Sequence, residues 1–562
     1  MAVCILAAVA TCVKLLFIPA YRSTDFEVHR NWLAITHSLP IKKWYLEETS
    51  EWTLDYPPLF AWFEYIMSLF AGHFDPAMLE VSNLNYASSQ TVLFQRMSVI
   101  VTDFVYYFAV KEFHLLTRGQ KMEGLGGIVV SILLIFNVGL FIVDHILLSW
   151  IVVVLRRLGP LVDFTLFDVY STHATMIYTY IHFQYNGILF GIMLLSVTRM
   201  LQERFVESAF WFAVLLNMKH IFIYVAPAWF IHLLRNFCFQ GNKPVSLTSF
   251  SLHNFLTLAS VVALVFGASF GPFIYIGQLP QVLSRLFPFK RGLVHAYWAP
   301  NFWALYSGVD KILATAAVSA GLVNQSSVPM ASMTGGMVQE YNHVMLPSVA
   351  PLSTMILVLV AMVPALFFLW EQKTAAAFTR TIVLCAFTSF LFGWHVHEKA
   401  VLMIIIPMTL MIMRDKQYAR LYLIMATVGF YSLFPLLFSP FENVLKVLLL
   451  LQSSIFAFLC MEVIYSYTLG DMKITSLDHF RLPLLNLPES FYILGLIPLG
   501  VFNSAGVWLL GISSRLPFLP LLLTSLYCSV GVIYCWVEFY VLSYSRTSAT
   551  GSGDIRHKRK KL

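Results

Sequence analysis

Long apolar runs, broken by short polar segments, recur along the whole chain. A helix crosses a bilayer when about 20 consecutive residues are largely apolar. On that pattern the candidate spans are residues 1–20, 97–113, 126–143, 187–201, 207–217, 221–235, 255–277, 347–370, 379–393, 400–413, 420–438, 443–467, 489–511 and 516–543. They predict an all-α polytopic membrane protein, a bundle of about 14 transmembrane helices. The pair 207–217 and 221–235 is short enough to read instead as one kinked span. Three stretches break the rhythm. Residues 21–96 and 278–346 read as long loops rich in Trp, Tyr, His, Asp and Pro. Residues 147–181 mix apolar runs with Arg156, Arg157, Pro160, Asp163 and Asp168, too broken for a clean span. The pattern therefore predicts one transmembrane domain over 1–545 and a basic tail over 546–562.

Composition agrees with the pattern. Of 562 residues, 59% are hydrophobic and only 12% are charged, with a mean hydropathy of +0.74. A soluble domain carries about 25% charged residues, so neither a soluble globe nor a disordered chain fits. The net charge of +7 reads as a topology signal rather than a nucleic-acid surface, because cytosolic loops of membrane proteins concentrate Lys and Arg. Lys111, Arg118, Lys121, Arg199, Arg204, Arg235, Lys243, Arg414, Lys416, Arg420, Lys473 and Arg481 fall in alternate loops, which places those loops in the cytosol. Both termini then lie there too, and the two long loops lie on the opposite face. Met1–Ala20 lacks a basic n-region, its first basic residue being Lys14, so it reads as a span rather than a signal peptide. The seven cysteines form no CxxC pair, and neither a disulfide framework nor a zinc site is expected.

Candidate chemistry gathers on the non-cytosolic face. In Glu51-Trp52-Thr53-Leu54-Asp55-Tyr56-Pro57-Pro58 the two prolines force an extended backbone and pin Asp55 ahead of the amphipathic stretch Leu59–Phe70. Partial desolvation there would raise its pKa and suit a general base; a helix N-cap is the alternative. Asp25, Glu27 and His29 are spaced by two, and Asp25 and His29 share a helix face at i, i+4. Gly393-Trp394-His395-Val396-His397-Glu398-Lys399 invites a metal reading. However, a helix would point His395 and His397 apart, and no third ligand is obvious. A cationic pocket for an anion fits better, with His395, His397 and Lys399 donating to phosphate oxygens. Lys219-His220 sits in an apolar stretch where a charge is costly and usually pairs or binds something. Arg285, Lys290, Arg291 and His295 add positive charge to the second long loop, and Trp298, Asn301 and Trp303 add a surface suited to sugars. A carboxylate base, cations for a phosphate and aromatic platforms together suit glycosyl transfer from a lipid-phosphate sugar. A transporter or lipid scramblase should instead show internal repeats and midplane charges, and no repeat is found.

Four stretches carry a resemblance: Ser23–Trp32, Trp52–Pro58, Phe287–Leu293 and Trp394–Lys399. They resemble the dolichyl-phosphate-glucose-dependent α-1,3-glucosyltransferases of the endoplasmic reticulum, family 57 of the multi-span GT-C class. The wording of His295–Trp303 and of Asp144-His145-Ile146 is similar to the members that add the second glucose to the lipid-linked oligosaccharide rather than the first. The resemblance implies an inverting transfer from dolichyl-phosphate glucose to a dolichol-diphosphate oligosaccharide in the bilayer, with no nucleic-acid partner, cofactor or metal. It implies Asp55 as the catalytic base. It implies a histidine of the Trp394–Lys399 stretch near the donor phosphate, without choosing between His395 and His397. The family motif Asp-His-Ile-His-Phe-Gln-Tyr-Asn is split here: Asp144, His145 and Ile146 are separated by 147–181 from His182, Phe183, Gln184, Tyr185 and Asn186. Asp144, His145, His182 and Gln184 thus join the expected substrate-binding residues, and 147–181 reads as an aberrant insertion. The ending Lys558-Arg559-Lys560-Lys561-Leu562 fits a Lys-x-Lys-x-x retrieval pattern, and Asn324-Gln325-Ser326 is a glycosylation sequon on the expected luminal face.

Overall fold

The computed structural model describes residues 2–16, 18, 24–117, 125–140, 185–239, 245–287, 292–295, 298–324, 343–436, 440–466, 480–512, 516 and 518–559. Among them secondary structure is helical, apart from two isolated bridges, Phe239 with Phe250 and Val294 with Val396. The chain is an all-α polytopic membrane protein. Eight described helical segments are long and apolar enough to cross a membrane, and five shorter apolar helices accompany them. The chain divides into two compact units.

The first unit comprises residues 1–220, 260–287 and 437–460. Its helices begin with α1 (Ala2–Leu16), α2 (Thr24–Ser38), α3 (Pro58–Ala71), α4 (Ser89–Thr117), α5 (Leu125–Ile135), α6 (Asn186–Leu201) and α7 (Phe205–Met218). The stretch 21–96, read from sequence as a loop, thus carries α2, α3 and the first turns of α4. Pro58 opens α3 because its missing N–H is no loss at a first helical position. Buried polar contacts tie these helices together. Lys14 of α1 meets Asp103 of α4 at 2.6 Å, both buried. Ser196 of α6 and Ser208 of α7 exchange hydroxyl-to-carbonyl bonds of 2.8 Å. Gly191 lets α6 lie against α4, since a Cβ there would fall 2.7 Å from the backbone nitrogen of Tyr106.

The second unit comprises residues 221–259, 288–436 and 461–562. After α7 the chain breaks at Lys219, whose backbone is extended at φ −150 and ψ 113. The stretches 207–217 and 221–235 are therefore separate helices, the second lying in α8 (His220–Cys238). There follow α9 (Leu252–Tyr275), α10 (Leu279–Leu286), α11 (Phe302–Ser319), α12 (Pro351–Gln372), α13 (Ala375–Phe392), α14 (Leu402–Thr409), α15 (Lys416–Tyr431), α16 (Pro440–Ser466), α17 (Leu487–Leu509) and α18 (Leu519–Arg559). α9 and α16 have residues in both units, and α10 belongs to the first. In the second unit α13 is buried from Ala377 to Phe392 and packs on α12, α14 and α18. Arg420 of α15 reaches Glu489 of α17 at 3.1 Å and Glu538 of α18 at 2.7 Å. The N-terminus of α17 is closed by a capping box between Asn486 and Glu489. α18 continues into the tail as far as Arg559.

Candidate active site

In the first unit, Asp55 lies on a loop held from several sides. The Trp32 indole N–H donates to the carbonyls of Trp52 and Thr53, each at 3.2 Å. The Asn31 amide donates to the Trp52 carbonyl at 3.0 Å, and the Tyr45 hydroxyl to the Tyr56 carbonyl at 2.7 Å. Leu54 is buried and Asp55 half-buried. Pro57 is extended at φ −59 and ψ 156 and occupies the N-cap position of α3, with no side-chain cap bond. Asp55 stands two residues ahead of that N-cap position, so it is not the cap residue of α3. The charge on Asp55 is felt by its neighbours. Burial first, then Asp55, holds the phenols of Tyr45 and Tyr56 well above their ordinary range, and Asp25 and Glu64 add to the effect on Tyr56.

The other expected residues of this unit surround that loop. Asp25 lies in the first turn of α2 and is half-buried. The Lys219 ammonium sits 4.9 Å from the centre of the Tyr56 ring, a cation–π contact beside Asp55. The His220 ring meets Phe287 at 5.5 Å. Arg285 of α10, expected at the donor phosphate, braces the loop: its guanidinium pairs with Glu48 and donates to the Tyr45 carbonyl at 3.2 Å and the Thr53 hydroxyl at 3.5 Å.

One pair was not visible in the sequence. Glu64, on the buried face of α3, lies 2.7 Å from Nδ1 of His29 on α2, and both are buried. Trp32, Phe60 and Tyr185 ring the imidazole at centroid distances of 5.1, 5.8 and 5.0 Å. The i, i+4 spacing of Asp25 and His29 pointed to the helix face but not to this partner on α3.

In the second unit, two motifs separated by about a hundred residues are zipped together. The His395 amide donates to the Leu293 carbonyl at 3.0 Å, its Nδ1 lies 2.7 Å from the Gly292 carbonyl, and Val294 bridges Val396. His395 is non-helical at φ 50, so the i, i+2 argument from helical geometry does not apply. The zipper brings His295 beside His397, ring centroids 4.3 Å apart, with the buried Glu398 carboxylate against both. Nδ1 of His295 is 3.3 Å from one Glu398 oxygen, and Nδ1 of His397 is 3.1 Å from the other. The Lys399 amide also lies 3.2 Å from Nδ1 of His397. Burial opposes ionisation of Glu398, but His397, His295 and Lys399 outweigh it and hold the carboxyl at about 2, so it is ionised throughout the physiological range. The ligand-capable atoms of His295, His397 and Glu398 lie within 4.8 Å of one another, near enough to share a cation. The third group that the sequence did not reveal comes from residue 295. Asp144, His145, His182, Gln184 and Arg291 lie outside the described residues.

Comparison with known proteins adds a separate line. A model described as the ALG6, ALG8 glycosyltransferase family matches residues 10–149 and 163–539. A Bos taurus protein named dolichyl pyrophosphate Glc1Man9GlcNAc2 alpha-1,3-glucosyltransferase is 48% identical over 544 residues, 95% of this chain and 94% of its own length. A Mus musculus protein of the same name is 47% identical over 555 residues, 97% and 96% of the two chains. An Arabidopsis thaliana protein of that name is 42% identical over 535 residues, 94% and 95%. The family match is interrupted between 149 and 163, inside the stretch 147–181.

Proposed function

This chain belongs to the ALG6, ALG8 glycosyltransferase family, and from that premise we propose that it moves glucose from dolichyl-phosphate glucose onto Glc1Man9GlcNAc2-diphosphodolichol in α-1,3 linkage. The observation that carries this reading is the identity of up to 48%, along almost the full chain, to proteins named for that acceptor. The setting would be the endoplasmic-reticulum membrane, with the chemistry on its luminal face during assembly of the N-glycan precursor.

The chemistry needs one displacement. The acceptor hydroxyl oxygen attacks C1 of glucose, Asp55 takes the hydroxyl proton, and the C1–O bond to phosphate breaks. Dolichyl phosphate leaves with the electron pair. Inversion at C1 turns the β-linked donor into an α product without a covalent intermediate. The half-buried setting of Asp55, just ahead of the Pro57 N-cap of α3, supports the role of base. The resemblance implies a histidine of the Trp394–Lys399 stretch at the leaving phosphate, because donors act there as charge develops.

The experiment that tests the acceptor is direct. Purified protein given dolichyl-phosphate glucose should glucosylate the acceptor that already carries one glucose. It should leave acceptors carrying none or two unchanged. Use of the unglucosylated acceptor alone would establish the first-glucose reading instead. A second expectation concerns 147–181, whose removal restores Asp144-His145-Ile146-His182-Phe183-Gln184-Tyr185-Asn186. We expect the transcript to contain a shorter form lacking those codons. A single message that includes them would show the segment to be native.

A further inference from the structure

We propose that Tyr45 is a positioning residue for Asp55: its hydroxyl, anchored from α10, fixes the backbone that carries the base. This role rests on the reading of Asp55 as the base. Neither Tyr45 nor its anchor Gln281 stands out in the sequence.

Asp55 lies between two backbone carbonyls that side chains hold. Before it, the Trp32 indole N–H donates to the Thr53 carbonyl at 3.2 Å. After it, the Tyr45 hydroxyl donates to the Tyr56 carbonyl at 2.7 Å. The ring of Pro57 locks φ, at −59, so a bond to the Tyr56 carbonyl leaves the chain just after Asp55 little freedom. Tyr45 is itself well fixed. It is buried, and its ring stands edge-on to Phe273 of α9 at 5.2 Å. Its own carbonyl accepts from two side chains of α10, Gln281 Nε2 at 3.0 Å and Arg285 Nε at 3.2 Å. Gln278, just before α10, donates to the Lys42 carbonyl. Residues 278, 281 and 285 share one helical face by their spacing, and together they tie it to the chain around Tyr45. Burial first, then Asp55, holds the phenol well above its ordinary range, so it stays protonated and the donor is always present. A base must come within hydrogen-bond reach of the proton it takes, and misplacement by about 1 Å can cost about a hundredfold. A stiff aromatic spacer between α10 and residue 56 sets position on that scale.

The test uses full-length protein in detergent with dolichyl-phosphate glucose and the monoglucosylated acceptor. Tyr45→Phe removes the hydroxyl and keeps the ring against Phe273. It should lower kcat by about fivefold to thirtyfold, with both KM values within about twofold of the parent and the melting temperature unchanged. The deciding measurement repeats the substitution on Asp55→Asn. A residue that acts only by placing the base has nothing left to place there, so the double variant should match Asp55→Asn alone within about twofold. Three results overturn the proposal: wild-type kcat in Tyr45→Phe, a melting temperature and KM values that deteriorate together, or the same factor lost again on the Asp55→Asn background. If Tyr45→Phe yields no folded protein, Gln281→Leu carries the test, since it loosens the anchor and leaves the tyrosine in place. A loss of kcat that vanishes on Asp55→Asn then supports the role, and wild-type kcat overturns it. The two layers separate cleanly. If Asp55→Asn itself transfers glucose at the parent rate, the reading of the base fails and Tyr45 with it. If Asp55→Asn is impaired while Tyr45→Phe is not, only the role of Tyr45 fails.

Discussion

Asp55→Asn is expected to lower glucosyl transfer by about a hundredfold or more, the scale for loss of a general base, while the protein folds normally. Asparagine matches aspartate in size and cannot take a proton at neutral pH. The fold should not register the change, because the backbone around residue 55 is set by other groups. Trp32 and Asn31 hold the carbonyls of Trp52 and Thr53, Tyr45 holds that of Tyr56, and Pro57 with Pro58 sets the entry to α3. Transfer rates with saturating donor and acceptor, measured beside a melting curve, check the result. Unchanged transfer would remove Asp55 from the mechanism. A variant that melts early would instead make Asp55 a structural residue.

Arg30→Met should have the largest effect on stability. The Arg30 guanidinium is fully buried, donates twice to Glu27 at 2.8 and 2.7 Å, and reaches the carbonyls of Met78 at 3.0 Å and Glu80 at 3.1 Å. It thereby clamps α2 to the turn after α3. Removing it strands the buried Glu27 carboxylate, a loss of about 3–5 kcal/mol, enough to deplete folded protein in detergent. Adding Glu27→Gln removes the stranded charge and should recover part of the loss, because an intact buried pair adds little net stability whereas a broken one is costly. The recovery stays partial because the two carbonyls still lack their donor. Chromatographic monodispersity and melting temperature of the single and double variants provide the check. A single variant as stable as the parent would show that Arg30 is no clamp.

Parts of this protein are legible in one dimension. Apolar runs of span length occur along the chain, and helix formation within a run depends on neighbours in sequence. The all-α membrane architecture therefore follows from pattern alone. Asp55 is legible for a similar reason: consecutive prolines set the backbone wherever they occur. Helix ends inside polar stretches are less so. α2 and α3 arise within 21–96 because their buried faces find each other, and Glu64 looks like one polar position in an amphipathic run until His29 is packed against it.

The roles of charged groups were decided by the tertiary structure. Arg285 reads in sequence as added positive charge on the second long loop, and in the fold it pairs with Glu48 and donates to the loop that carries Asp55. His395 and His397 read as a pair without a third partner, and folding supplies His295 from the motif upstream and Glu398 between the rings. The sequence by itself determined the class of fold and the family, and offered Asp55 as the candidate base, because these rest on local runs and short motifs. Only the tertiary structure decided which histidines lie against one carboxylate and which groups Arg285 touches. A buried charge must find its counter-charge wherever the chain brings one, and that partner can lie a hundred residues away.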